Sequence, residues 1–331
     1  MLVDAFGRTA TDLRVSVTDR CNLRCTYCMP PEGLDWIPGD ELLSADELIR
    51  VVRLAVAEGV SEVRFTGGEP LVRPDLETII AGAAALSPAP SISLTTNGIG
   101  LTKRAESLRA AGLTRINVSL DTLDRERFTT LTRRDRLADV LAGIEAAKAA
   151  GLHPVKINTV PMRGVNDDEI VSLVRWAIDI GVSLRFIEQM PLDAQHAWSR
   201  QEMVKADEIL AKLASAFRLE PTSESRGSDP AERWTVTSLD DSATGVVGVI
   251  GSVTRPFCAA CDRVRLTSDG QLRNCLFSQT ETDLRGPLRS GASDDEVIGL
   301  MRECLAAKKA GHGIDEPTFL PPLRPMSAIG G

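Results

Sequence analysis

A parallel α/β sheet, either doubly wound or curled into a barrel, is predicted by two features of this sequence. Short β-prone runs alternate with helix-length stretches from Leu13 to Glu188, and glycines stand where those helices should stop. Six units of this kind would leave a barrel incomplete.

The six runs are LRVSVT from Leu13, EVRFTG from Glu62, ISLTTN from Ile92, RINVSL from Arg115, VKINTV from Val155 and SLRFIE from Ser183. Each is rich in the β-branched and apolar residues that suit a buried strand. Between the first two, Ser44 and Glu47 form a capping box ahead of Leu48, Val51, Val52 and Ala55, and Gly59 sits at the C′ position. Gly112, Gly151 and Gly181 close later helices in the same way. The pattern then changes. A helix-like stretch from Met203 to Phe217 leads into PTSESRGSDPAERW, whose Pro, Ser and Gly content reads as an exposed linker. Beyond it, WTVTS, GVVGVIGSVT and VRLTSDGQLRNCLF are strand-like, with Asp269-Gly270 as a hairpin turn, and a last helix runs roughly from Asp294 to Lys309. This divides the chain into 1–220 and 221–331.

Composition narrows the function. The chain has 331 residues, 43% hydrophobic and 25% charged, with no apolar run of membrane-spanning length. Its start carries neither a basic stretch nor an apolar one, so the cytoplasm is the expected compartment, with no membrane partner. A net charge of -8 disfavours nucleic acid, although a local arginine cluster could still hold a small anion. Seven cysteines in a reducing compartment, an odd number, point to metal or cluster ligation rather than disulfides.

Three of them stand in CNLRCTYC, at C-x3-C-x2-C, just past the first strand. That is where a βα loop opens at the C-terminal face of such a sheet. Cys21, Cys25 and Cys28 could hold three irons of a [4Fe-4S] cube and leave the fourth open, whereas a structural zinc would need a fourth ligand from elsewhere. The second group, Cys258, Cys261 and Cys275, again numbers three. Cys304 would complete it only by leaving the apolar face it shares with Val297, Met301 and Leu305, so core packing explains Cys304 better. Arg263 and Arg265 flank Val264 on a strand, so both guanidinium groups project to one side. There they could clamp phosphate, each contact being worth about 4 kcal/mol before desolvation. The three histidines, His153, His196 and His312, lie outside both cysteine motifs; His312 is the outside candidate for a role.

CNLRCTYC resembles the signature of radical S-adenosylmethionine enzymes, and together with FCAACDRVRLTSDGQLRNC it resembles the GTP 3′,8-cyclase family, the molybdenum cofactor biosynthesis protein A family. The resemblance implies an incomplete (β/α)6 TIM-type barrel with a C-terminal α+β region carrying a second iron-sulfur site. It implies two [4Fe-4S] clusters, one at Cys21, Cys25 and Cys28 with S-adenosylmethionine on its open iron, the other at Cys258, Cys261 and Cys275. Tyr27, Gly68 in TGGEP, Ser119 in NVSLD and Met190 in EQMP then match contacts to S-adenosylmethionine. Arg14, Arg64, Thr95, Lys156, Arg263, Val264 and Arg265 match contacts to GTP, and Gly330 with Gly331 matches a tail that enters the catalytic chamber. A radical lyase reaction follows, with C3′–C8 bond formation in GTP. Its partners would be a low-potential electron donor such as flavodoxin or ferredoxin, and cyclic pyranopterin monophosphate synthase as recipient of the product; monomer and homodimer are both compatible. The rival readings are a peptide-modifying maturase with an auxiliary cluster, and a zinc-stabilised binding protein.

Overall fold

The computed structural model describes residues 1–330. In chain order its elements begin β1 (Asp12–Ser16), α1 (Ala45–Ala57), β2 (Glu62–Thr66), α2 (Leu76–Ala84), β3 (Ser91–Thr96), α3 (Leu101–Ala110), β4 (Arg115–Ser119), α4 (Arg125–Thr132), α5 (Leu137–Ala149), β5 (Val155–Thr159), α6 (Ile170–Asp179) and β6 (Ser183–Ile187). They continue with α7 (Ala206–Ala214), β7 (Phe217–Pro221), β8 (Glu232–Ser238), β9 (Thr244–Ile250), β10 (Arg263–Leu266), β11 (Gln271–Arg273), β12 (Thr282–Asp283), α8 (Arg285–Arg289), α9 (Asp294–Ala306) and α10 (Met326–Ile329). Among the described residues no helix is long and apolar enough to cross a membrane.

All six expected strands form, and they lie side by side in parallel as β1 to β6. Crossover helices between consecutive parallel strands give this incomplete (β/α)6 barrel. The C-terminal region then extends the same sheet at both ends. β10 pairs in parallel outside β1, and β9 pairs in parallel outside β6. Antiparallel hairpins finish the edges, giving the order β12-β11-β10-β1-β2-β3-β4-β5-β6-β9-β8-β7. The sheet stays open.

Period-two alternation divides its two faces. Leu13, Val15, Val63, Phe65, Ile92, Leu94, Ile116, Val118, Ile157 and Phe186 are each at most 1% exposed and join one core with Leu48 and Val51 of α1 and Ile79 of α2. The intervening positions carry Asp12, Arg14, Arg64, Thr95, Asn117, Ser119, Lys156, Asn158 and Arg185. The concave face of the sheet is therefore polar. A TIM-type interior is usually filled by branched apolar side chains, so this inversion marks it as a chamber.

Local signals hold where they rest on caps. Ser44 Oγ accepts from Glu47 N at 3.1 Å while Glu47 Oε2 accepts from Ser44 N at 2.7 Å, and Gly59 takes φ +105°, which a side chain would resist. The Asp269-Gly270 turn joins β10 to β11. One expectation needs correcting. The stretch from Pro221 to Trp234 is not a free linker: it ends β7, begins β8, and between them sends Asp229 to within 3.3 Å of the Arg185 guanidinium.

Candidate active site

Strand register lines up the cations of the chamber. Arg14 is the Cα partner of Arg265 on one side and of Arg64 on the other, so three guanidinium groups stand in one row across β10, β1 and β2. Arg263 lies beside Asp12 one pleat below, with its Nε 3.3 Å from Asp12 Oδ2. Arg185 and Lys156 come from β6 and β5. Against these six cations stand the carboxylates of Asp12 and Asp229, which the neighbouring arginines pull below the usual range against the opposing effect of burial. An excess of positive charge remains, enough to match a triphosphate. Crowding has a cost: burial, then the neighbouring guanidinium groups, depress Arg14 and bring Arg265 down to about 10, while burial and Arg185 bring Lys156 down to about 8. Arg14 Nε and Arg263 Nε and Nη1 are buried with no aligned acceptor in the protein. Buried donors of this kind call for a ligand.

The first cysteine loop is built against the end of this row. Cys28 N and Met29 N both donate to Cys25 O at 3.0 Å, a tight turn that gathers the last two cysteines. Arg133, in a left-handed conformation at the end of α4, donates from Nη1 to Arg24 O at 2.8 Å and Met29 O at 3.0 Å, bracing the loop from behind. From β2, Gly68 N donates to Thr18 O and Glu69 N to Arg20 O, both at 2.8 Å. A Cβ at Gly68 would lie 2.3 Å from Asp19 O and 2.5 Å from Arg20 O, so only glycine permits that approach. Glu69 then fastens the next strand: its carboxylate accepts from Leu71 N (2.9 Å), Thr96 Oγ1 (2.6 Å) and Asn97 N (2.6 Å). Burial still lifts its carboxyl to about 7. Asn97 Nδ2 in turn reaches Asn22 Oδ1 at 2.7 Å, inside the cysteine loop. Tyr27 donates its hydroxyl to Asp121 Oδ2 at 2.6 Å, and burial lifts Asp121 to about 6.

All six motif cysteines are free thiols and line one cavity of about 330 Å³ with the arginine row. Burial raises Cys21 to about 11 and Cys28 to about 12, and it pushes Cys25 up as well. Protonated thiols in this number and place become ligands when a metal displaces their protons. Among the described residues no group of three or more His, Cys, Asp or Glu is gathered as a site for a metal ion. The fit to a cluster therefore rests on the donor set: three thiols per group around a shared space, with N–H groups aimed at sulfur from Leu23, Ser327 and His312. Cys304 stands apart, packed in the core with its Sγ 3.6 Å from Leu272 O.

The chain's end enters the same chamber. α10 packs Ile329 into a small apolar cluster with Leu192 and Phe277, and Gly330 follows with φ +88°. Its carbonyl accepts a hydrogen bond from Arg265 Nη1, and a Cβ there would lie 2.9 Å from Thr66 Cγ2. Gly331 lies outside the described residues.

Of the residues singled out in the sequence, Cys21, Cys25, Tyr27, Cys28, Arg14, Arg64, Gly68, Thr95, Ser119, Met190, Cys258, Cys261, Arg263, Arg265 and Cys275 all line this cavity. Lys156 is not among the lining residues but lies in the field of Arg185, which is one of them, and of Asp229. Val264 is different: its side chain belongs to the apolar core, so it could offer a ligand only its backbone. Sequence reasoning missed Arg185, Asp12 and Asp229. The first was legible as the inward position of SLRFIE, two residues before Ile187; Asp229 carries no such signal. His312 also lines the cavity, but both ring nitrogens are engaged, Nδ1 by Ile314 N at 3.1 Å and Nε2 with Ser252 O at 3.1 Å.

Comparison with known proteins agrees with this layout. Residues 15–177 match the radical SAM superfamily, and residues 182–314 match the family described as Molybdenum Cofactor Synthesis C. GTP 3′,8-cyclases of Mycolicibacterium smegmatis and Streptomyces coelicolor are each 60% identical over the whole of this chain, covering 92% and 96% of their own lengths. That of Corynebacterium glutamicum is 58% identical, again over the whole chain and 89% of its own. Among solved structures, SuiB from Streptococcus suis bound to S-adenosylmethionine superposes with a TM-score of 0.62 at 16% identity, over 97% of this chain and 76% of that one; at this identity the likeness is one of fold.

Proposed function

Because this chain belongs to the GTP 3′,8-cyclase family of radical S-adenosylmethionine enzymes, we propose that its one polar chamber holds both reactants between the two cysteine groups. The enzyme acts on GTP in molybdenum cofactor biosynthesis. A [4Fe-4S] cluster on Cys21, Cys25 and Cys28, when bound, supplies the electron that cleaves S-adenosylmethionine to methionine and a 5′-deoxyadenosyl radical. That radical would take the ribose 3′ hydrogen and leave as 5′-deoxyadenosine, C3′ would join C8, and one further electron with a proton would convert the resulting aminyl-type radical to 3′,8-cyclo-7,8-dihydro-GTP.

The protein's part is placement. Gly68 offers a backbone edge to the methionine end, Ser119 faces the ribose, Met190 borders the adenine end, and Tyr27 is a further contact to S-adenosylmethionine. Arg14, Arg64, Arg265, Arg263 and Lys156 take the triphosphate, with Thr95 beside them. Cys258, Cys261 and Cys275 hold a second [4Fe-4S] cluster at the guanine end. Gly330 lies against Arg265, on the side of the chamber where the triphosphate would lie, and Gly331, beyond the described residues, completes the tail in this reading. A low-potential donor such as flavodoxin or ferredoxin supplies electrons, and cyclic pyranopterin monophosphate synthase receives the product. We further propose that 1–220 forms the S-adenosylmethionine unit and 221–331 the auxiliary-cluster and substrate unit.

The observation that carries this reading is that arginines, Arg14 and Arg263 among them with unsatisfied nitrogens, line one cavity together with two thiol triads. Anaerobic iron and sulfide analysis tests it, with spectra recorded as each small molecule is added. About eight irons per chain, S-adenosylmethionine perturbing one cluster and GTP the other, is the expected outcome. Zinc alone, or a second site blind to GTP, would overturn it.

A further inference from the structure

Lys308, two residues past the end of α9, is 5% exposed, and its three ammonium hydrogens have three acceptors: Cys261 O at 3.0 Å, Arg263 O at 2.8 Å and Cys261 Sγ at 3.6 Å. All three belong to the segment that carries Cys261 into the chamber. No Asp or Glu pairs with it among the described residues, although a buried ammonium is costly without a counter-charge. The lysine is also held in place. Its N–H donates to Leu305 O at 2.9 Å, and Arg8 clasps Lys309 O at 2.6 Å, Ala310 O at 3.0 Å and Cys258 O at 2.6 Å, tying this turn to the neighbouring cysteine.

The geometry points to Lys308 as the resident counter-charge of the second cysteine site: its ammonium pairs with the Cys261 thiolate and raises the reduction potential of the cluster held there. The inference rests on the second-cluster reading above. Its physics is direct, because reduction adds negative charge to the cluster and a fixed cation a hydrogen bond away favours that state, as N–H···S contacts do generally. Lys308 is a positioning and tuning residue; it touches a ligand, not the reactants.

The test is a potentiometric titration of the anaerobic holoenzyme followed by electron paramagnetic resonance, with iron counted per chain. Lys308→Met is expected to shift the second cluster's one-electron equilibrium at least tenfold toward the oxidised form, about 59 mV lower. The first cluster should stay put, and the exposed neighbour Lys309→Met should shift neither. Lys308→Arg should restore the wild-type value, and should restore second-site iron if Lys308→Met loses it. Eight irons with an unmoved potential in Lys308→Met, or a neutral Lys308→Gln behaving as wild type, would overturn the role of Lys308 alone. Four irons in the wild type that survive Cys258→Ser would overturn the second-cluster reading, and this inference with it.

Discussion

Arg263 carries two nitrogens, Nε and Nη1, that find no aligned acceptor, while its Nη2 donates to Ser228 O at 2.8 Å. Arg265 lends Nη1 to the Gly330 carbonyl. Arg263 is thus anchored at one corner and open at two, and Arg265 is anchored by the tail, which fixes each guanidinium plane before a phosphate arrives. Truncating Arg265→Ala removes a charged contact worth about 1.5–3 kcal/mol, so GTP affinity should fall on the order of 10- to 100-fold with iron content unchanged. Anaerobic titration calorimetry reads both the affinity and the control. Lys156 adds a pH dependence. Since burial has lowered its pKa to about 8, it is a cation below that pH and neutral above it, so GTP binding should weaken as pH rises through about 8, with proton uptake on binding near that pH. Lys156→Arg, charged throughout, should flatten the profile. An unchanged slope in that variant would clear Lys156 of the effect.

Among the elements, the loop between β2 and α2 bears most of the order at the first cysteine site. Gly68→Ala would drive a methyl group against the Asp19 and Arg20 carbonyls, and the backbone of the cysteine loop cannot yield cheaply. The variant should hold about four irons instead of about eight, with loss confined to the cluster that responds to S-adenosylmethionine. By contrast, Ser44→Ala removes one cap on α1, far from the chemistry, and should cost about 1 kcal/mol in a thermal melt without changing iron content. These elements also show what the sequence could tell. β1 to β6 were legible because alternation and β-branched residues agree on one answer, and the cysteine spacing was legible because it is local. β7, FRLEP, was not: Phe217, Arg218, Leu219 and Glu220 alternate, but the run is short, follows a helix directly and ends in Pro221, and only its pairing with β8 defines it. Nor could the loop that brings Asp229 to Arg185 be read, because a polar residue satisfied by a distant arginine looks like any solvated one.

At the scale of the molecule, the chamber is closed by the end of the chain. Ser327 and Ile329 are almost wholly buried, and Gly330 passes Thr66 and Ser16 where no side chain fits. Residues appended after Gly331 should therefore suppress turnover while leaving iron content intact, and a tagged protein with full activity would show that the tail's position is dispensable. Gly330→Ala, strained by φ +88° and by the 2.9 Å approach to Thr66, should act like the tag.

The place of β10 in the sheet has a further consequence, for synthesis. β1 spans Asp12–Ser16, yet its outer neighbour, Arg263–Leu266, lies about 250 residues later in the chain. At roughly 5–20 residues per second, the ribosome leaves that edge open for roughly 12–50 seconds. During that interval the nascent chain carries an unpaired strand edge, with Arg14 and Arg64 in place beside Asp12 and Arg265 still to come. Iron cannot fill the second site until Cys258, Cys261 and Cys275, placed on either side of β10 and β11, have all been made. Maturation of this enzyme is thus ordered by topology, with the sheet complete before either cysteine group meets its final surroundings.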